Sequence, residues 1–473
     1  MKKDDILIVE IIDMGASGEG VAKVDGVPVF VPFAIMGETV KIQLNYCKKE
    51  YAFADIIEVL SSSNERINPR CVHFGKCGGC DLQHINYAKQ LEIKRANLIN
   101  NLRKIAGINP NVNEVIFDKE WEYRNKLSLP FGLQNGKVAV GFFEKNSHTI
   151  VPMKECPLHG EWAINLIDCV TSWANEAKLS VYDERTQKGF LRHAVARMLD
   201  TLSLTIVGNS KVLPAVDLLV SKLKAKFDNF EVYFSSNTKN TNVIFGETAK
   251  LVYGIPQKQT LGELKAQISP LSFLQVNNAI RDKIYEKVCL EIERNSKQSA
   301  SEENQVSTEF SENQPYNNKS IQIVELYSGV GILTAELALR MPNAKINAVE
   351  IVPEAVADAD KLMAEKNLFD RVTNICADAS EALQKLFCSN KNGNNSSMTV
   401  ILDPPRKGCD SVVLDAILKF APAQIIYISC NSATLARDLK ILAPDYLPTS
   451  IIPFDMFPQT KHLETLVCLK KQV

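Results

Sequence analysis

The strongest constraint on this 473-residue chain lies in its last third, where short apolar runs recur and most end in a glycine, a proline or an acid. IVELYSG, INAVEI, VTNICAD, MTVILDPP, QIIYISC, TSIIPFDMF and TLVCLKK follow one another between residues 323 and 471, most of them separated by helix-length segments. Strands buried on both faces read as continuous apolar runs, and parallel strands need a crossover between them. The pattern therefore predicts a doubly wound, Rossmann-like α/β domain with at most an antiparallel hairpin at its end. Such sheets carry their chemistry beyond the carboxyl ends of the strands.

The rest of the chain reads differently. Residues 1–60 alternate apolar and polar positions, with turns at Gly15, Gly18, Gly20 and Gly26. Four or five short strands in that length predict a small OB-like β-barrel, a frequent nucleic-acid binder that also occurs without a ligand. Residues 61–270 mix strands and helices as an α+β domain, with an amphipathic helix that turns Leu91, Ala96, Leu98 and Leu102 inward and Lys89, Lys94, Arg95, Arg103 and Lys104 outward. The third domain spans 271–473. Within it, residues 294–319 are so rich in Ser, Asn, Gln and Glu that they predict a disordered insertion, and KNGNN at 391–395 a shorter one.

The formal net charge of −1 excludes a general electrostatic grip on nucleic acid but not a local basic groove. Arg124, Lys126, Arg192, His193 and Arg197 lie near Tyr123 and Phe190, a mixture suited to phosphates and stacked bases, or simply to a solvated face. The start Met1-Lys2-Lys3-Asp4-Asp5 carries no apolar signal region. No apolar run approaches the roughly 20 residues that span a bilayer. The expectation is a soluble, cytoplasmic protein with no membrane partner.

Of the 12 cysteines, Cys71, Cys77 and Cys80 crowd into ten residues, and Cys156, in KECPLH, can close the set from a distance. Four thiolates suit a [4Fe–4S] cluster or zinc; with zinc, His73, His84 or His159 can replace a thiolate. The spacing is not the Cys-x3-Cys-x2-Cys of radical enzymes.

VELYSGVGILTAELA (324–338) reads as strand, turn and helix, and Gly329 and Gly331 let the backbone approach a ligand. Glu350, 19 residues after Gly331, can bind ribose hydroxyls, and Asp378 can reach an adenine edge. For each acid alone, capping a helix is the competing role. Together they are the layout of an S-adenosylmethionine site. Asp403 closes the fourth strand before the rigid Pro404-Pro405 turn. Amino-group methylases place an aromatic residue after a related turn, whereas Arg406 stands here, which argues against methylation of an exocyclic nitrogen. Cys430 sits just past the fifth strand, either as packing or as a nucleophile.

DPPRKG, SCNSATLARDL and the terminal PQTKHLETLV together resemble the RNA uracil-5-methyltransferases, and the likeness covers nearly the whole chain except the insertion at 294–319. The resemblance implies Cys430 as nucleophile and Glu464 of HLET as general base. It implies Gln275 of FLQVN, Tyr327, Glu350, Asp403 and, less closely matched, Asp378 as cofactor contacts beside Gly329 and Gly331. It favours iron–sulfur over zinc, with Cys71, Cys77, Cys80 and Cys156 as ligands in a structural or RNA-positioning role, and it likens the barrel to a TRAM domain. Ile332 stands where the family often has asparagine, which removes or replaces one contact to the methionine moiety. Carbon 5 of uracil is a poor nucleophile, and a thiolate adding to carbon 6 activates it. A base must later remove the proton from carbon 5. The uridine must leave its stack to meet these groups. Barrel and cysteines together favour 23S rRNA as substrate over tRNA, although some relatives with both act on tRNA, and a monomer is expected. A noncatalytic RNA-binding or assembly protein of the same fold is the rival from another class.

Overall fold

The computed structural model of the chain describes residues 1–145, 147–304, 321–389 and 398–472. The Ser/Asn-rich stretch expected to be disordered from 294 begins inside a helix, Asn278–Asn304. Its remainder and the run at 391–395 lie outside the described residues.

The N-terminal segment forms a six-stranded sheet. Its first strand, Ile6–Glu10, sits at one edge, and Asp13–Met14 sits at the other. Only Ile11 and Ile12 separate these strands in sequence, so the chain itself ties the two edges together and the sheet closes round one core. Val29, Val31, Val40, Ile42 and Leu44 are fully buried in it. Closure in this way removes exposed edges.

The central segment holds a seven-stranded sheet with Lys250–Tyr253 and Ile150–Pro152 at its edges, and the helix Glu161–Glu176 packs on it through fully buried Trp173. The helix Tyr87–Asn101 departs from this unit. Leu98, Leu102, Val112 and Val115 share a core with the C-terminal sheet. Lys94, expected on the outer face, is instead 2% exposed and ion-paired with fully buried Asp455 at 2.7 Å. Tyr87 donates to the other oxygen of Asp455 at 2.9 Å. The charge pattern of the helix was misleading because the partner stands more than 360 residues away. Breaking such a buried pair on one side leaves a bare charge and costs about 3–5 kcal/mol.

The C-terminal sheet contains β1 (Ile321–Leu326), β2 (Ala344–Glu350), β3 (Val372–Cys376), β4 (Met398–Leu402), β5 (Gln424–Ser429), β6 (Tyr446–Phe454) and β7 (Glu464–Lys471). Their order across the sheet is β3-β2-β1-β4-β5-β7-β6. The first five run parallel, and β7 enters antiparallel between β5 and β6. Every residue of β4 and β5 is buried, as strands covered on both faces must be. The order reverses between β1 and β4, which opens a crevice above their carboxyl ends. Among the described residues no helix is long and apolar enough to cross a membrane.

Candidate active site

The crevice begins at the end of β1. Tyr327 takes a left-handed φ of 64°, unusual for a residue with a Cβ, and Gly329 and Gly331 follow with φ of 57° and 75°. The two glycines do different work. A Cβ on Gly331 would stand 2.9 Å from Cβ of Ala359, so the glycine lets the helix Pro353–Glu365 pack close. A Cβ on Gly329 would meet nothing within 4 Å, so that backbone faces open space. Glu350 braces the cradle: its carboxylate accepts from Gly329 N at 3.0 Å and from Val352 N at 2.9 Å, and each oxygen keeps a further lone pair for a ligand hydroxyl.

Asp378 is exposed and accepts from the amide and hydroxyl of Ser380 at 2.8 and 2.6 Å, which holds its carboxyl below the usual range. Helix capping, the competing role read from the sequence, is the one its contacts display. Gln275 is half-buried, and its carbonyl accepts from Asn125 Nδ2 at 3.0 Å.

At the other side of the crevice, β5 and β7 bring two reactive groups together. Ser429 pairs with Thr465 in the antiparallel ladder. Continuing that register by one residue sets Cys430 opposite Glu464. Asn431 then caps the helix Ser432–Leu442 by accepting from Ala433 N at 3.0 Å, so Cys430 sits at the sharp exit from strand to helix. The DPPRKG turn is fastened to this exit. Arg406 O accepts from Asn431 Nδ2 and Thr434 Oγ1, both at 3.3 Å. Fully buried Asp438 accepts from Cys409 N at 2.9 Å, Tyr427 hydroxyl at 2.6 Å and Arg437 Nε at 2.7 Å. Gly408 is required there: a Cβ on it would stand 2.6 Å from Asp438 Oδ2 and from Arg437 Nη2.

The electrostatics are those of an acid-rich pocket with one cation. Burial and the Asp403 charge push the Glu464 carboxyl well above the ordinary range, and the Arg406 guanidinium pulls it back. Burial also raises Asp403. Cys430 is pushed up to about 11 by burial and Glu464, with Arg406 opposing. A fourth group was not singled out from the sequence: Glu325, inside β1, is 4% exposed and accepts from Thr334 Oγ1 at 2.6 Å. An acid in the middle of an apolar strand was the available signal.

The four clustered cysteines also converge. Burial raises Cys80 to about 12 and Cys156 to about 11, and Cys71 and Cys77 add their charges to both. Among the described residues, however, no group of three or more His, Cys, Asp or Glu side chains is arranged to hold a metal ion. His84 packs against Phe33 and Phe74, and His159 bonds to Lys126 O at 3.0 Å. Arg192 and Arg197, weighed as RNA contacts, are internal: Arg192 donates to the carbonyls of Asn237 and Lys239, and Arg197 to that of Ser272.

Residues 304–472 match the family model described as tRNA (uracil-5-)-methyltransferase, and residues 6–57 match the TRAM domain. An uncharacterized RNA methyltransferase of Staphylococcus epidermidis is 34% identical over 98% of this chain and 97% of its own length. One from Clostridium tetani is 33% identical over 99% and 97%. The crystal structure of a Pyrococcus abyssi tRNA (uracil-54, C5)-methyltransferase in complex with S-adenosyl-L-homocysteine covers 98% of this chain and 99% of that one, with 26% identity and a TM-score of 0.73.

Glu325 makes a prediction about pH. Its carboxyl is raised from about 4.5 to about 8, chiefly by burial and then by Asp403. Between those values the unfolded chain ionises before the folded one, so this group subtracts stability as pH rises through the window. Glu325→Gln keeps an acceptor for Thr334. Its unfolding temperature should match the wild type near about pH 4 and exceed it increasingly up to about pH 8. Thermal melts at the two ends of the window check this.

Proposed function

The chain belongs to the RNA uracil-5-methyltransferase family, and we propose that it methylates carbon 5 of a uridine in 23S rRNA, with Cys430 as nucleophile and Glu464 as base. The observation that supports the assignment is the pairing of Ser429 with Thr465, whose chain neighbours are Cys430 and Glu464. The open backbone at Gly329 and the braced Glu350 suit S-adenosylmethionine, with Tyr327, Asp403 and Gln275 as further contacts and Asp378 at the adenine side. When bound, the cofactor supplies a methyl group on a positively charged sulfur.

The chain's own residues then have defined tasks. Cys430, as thiolate, adds to carbon 6 of the uracil and makes carbon 5 nucleophilic. Its raised pKa means that the thiolate has to be stabilised, and Arg406 is the cation on hand. After methylation, Glu464 takes the proton from carbon 5, the electrons of that bond form the 5,6 double bond, and the thiolate leaves. The raised pKa of Glu464 suits it to accept that proton. Part-buried Cys430 and buried Glu464 meet a uracil only if the nucleotide is flipped out of its stack.

The barrel and the four-cysteine set favour 23S rRNA. The tRNA reading draws on the Pyrococcus abyssi structure. Purified protein incubated with methyl-labelled S-adenosylmethionine and unmodified 23S rRNA should yield labelled 5-methyluridine in the rRNA and none in unmodified tRNA. Label in tRNA alone would keep the chemistry and overturn the substrate, and label in neither would favour the noncatalytic binding protein.

The same proposal gives Cys71, Cys77, Cys80 and Cys156 a [4Fe–4S] cluster. Burial raises the thiols of Cys77, Cys80 and Cys156, and iron would stabilise them as thiolates. Protein prepared without oxygen should carry about four irons and four sulfides per chain. One equivalent of zinc and no sulfide would replace the cluster with the rival metal.

A further inference from the structure

The outward face of the N-terminal barrel carries a feature that the catalytic site does not use. Across three neighbouring strands the ladder pairs Phe30 with Phe53 and Phe53 with Tyr46. Val29, Ala52, Ala54 and Leu44, the alternate positions, are fully buried in the barrel core. Side chains alternate across a strand, so the three rings form one row on the outer surface. Phe30 and Phe53 lie 5.4 Å apart, and Phe53 and Tyr46 6.4 Å. Tyr51, in the hairpin that joins the last two strands, adds a fourth ring 5.7 Å from Phe53 and 6.2 Å from Tyr46. Tyr46 is 44% exposed and Phe53 38%.

The charge is placed with equal order. The ammonium of Lys48 stands over the rings of Tyr46 and Tyr51, at 5.8 and 5.5 Å. Lys49 follows and Glu50 offsets one of the two, which leaves the hairpin net positive. Asp55 sits on the far side of Phe53 from this hairpin, paired with Gln43. The row therefore has a positive end beside its most exposed rings.

We propose that Phe30, Tyr46, Tyr51 and Phe53 form a stacking platform for unpaired bases of a single-stranded RNA segment, with Lys48 and Lys49 against its phosphates. This deepens the reading of the chain as an RNA enzyme and rests on it. Every base has a π-face, so ring-on-base stacking tolerates any sequence, and it combines with cationic side chains wherever single strands are bound without readout. The lysines at the end of the row favour an anionic partner, which a nucleic-acid strand is. The platform would grip RNA without discriminating between bases.

The test uses the full chain and a fluorescein-labelled 12-mer of uridine, with a blunt RNA duplex of equal length as control. The double variant Tyr46→Ala/Phe53→Ala should weaken single-strand binding at least roughly tenfold, with little change for the duplex. The aromatic exchange Tyr46→Phe/Phe53→Tyr should restore it. Calorimetric binding of S-adenosylmethionine by each variant reports that the rest of the chain is folded. Unchanged single-strand affinity in the folded alanine variant overturns the platform. So does the same result with a shift in sedimentation, which would make the row a contact between copies. Oligonucleotide binding needs no turnover. A wild type that binds the strand through these rings but transfers no methyl group would refute the catalytic proposal and leave the platform standing.

Discussion

A carboxyl group buried beside another carboxyl group is the condition on which this architecture turns. Glu464 is 2% exposed, feels the charge of Asp403, and has Arg406 as the cation that offsets it. Glu325 adds a third acid from below, raised in part by Asp403. Two ionised carboxylates in such a place repel, so the pocket favours protonated acids until a cation arrives. A positively charged methyl donor is such a cation. Under the proposed mechanism, donor binding would favour the ionised form of Glu464.

Holding these acids together requires rigidity from outside the sheet. The segment between β6 and β7, which leads into Glu464, is fixed by the helix Tyr87–Asn101 and the cysteine loop. Lys94 donates to Asp455 and to Phe457 O, and Gln90 to the side chain of Gln459. Gln459, at a left-handed φ of 69°, accepts through its carbonyl from Asp81 N and Leu82 N. Asp81 and Leu82 directly follow Cys80. The loop carrying three of the clustered cysteines is therefore a structural neighbour of the loop that leads into Glu464.

Much of this was legible in the sequence, for reasons that can be named. Continuous apolar runs between helices dictated the doubly wound sheet, and period-two alternation with glycine turns dictated the barrel. The glycines of the β1 turn and Asp403, Cys430 and Glu464 stand at strand ends, where a linear pattern shows them. What stayed hidden depends on partners far apart in the chain. Lys94 looked like one more basic residue on a helix, because Asp455 comes from the other end of the molecule. Arg192 and Arg197 looked like RNA contacts, because their carbonyl partners belong to loops with no sequence signal. Asp438 gave no warning that it ties the end of the DPPRKG turn to the helix after Cys430. The aromatic row on the barrel emerges only when strand order places Phe30, Phe53 and Tyr46 side by side.

The division of labour between Cys430 and Glu464 is the central claim, and one variant tests it most directly. Glu464→Gln, incubated with methyl-labelled S-adenosylmethionine and RNA substrate, should add, methylate and then stall. A labelled RNA–protein adduct that survives denaturing electrophoresis should accumulate, and the further change Cys430→Ala should abolish it. Release of 5-methyluridine by Glu464→Gln at the wild-type rate, with no adduct, would contradict the account.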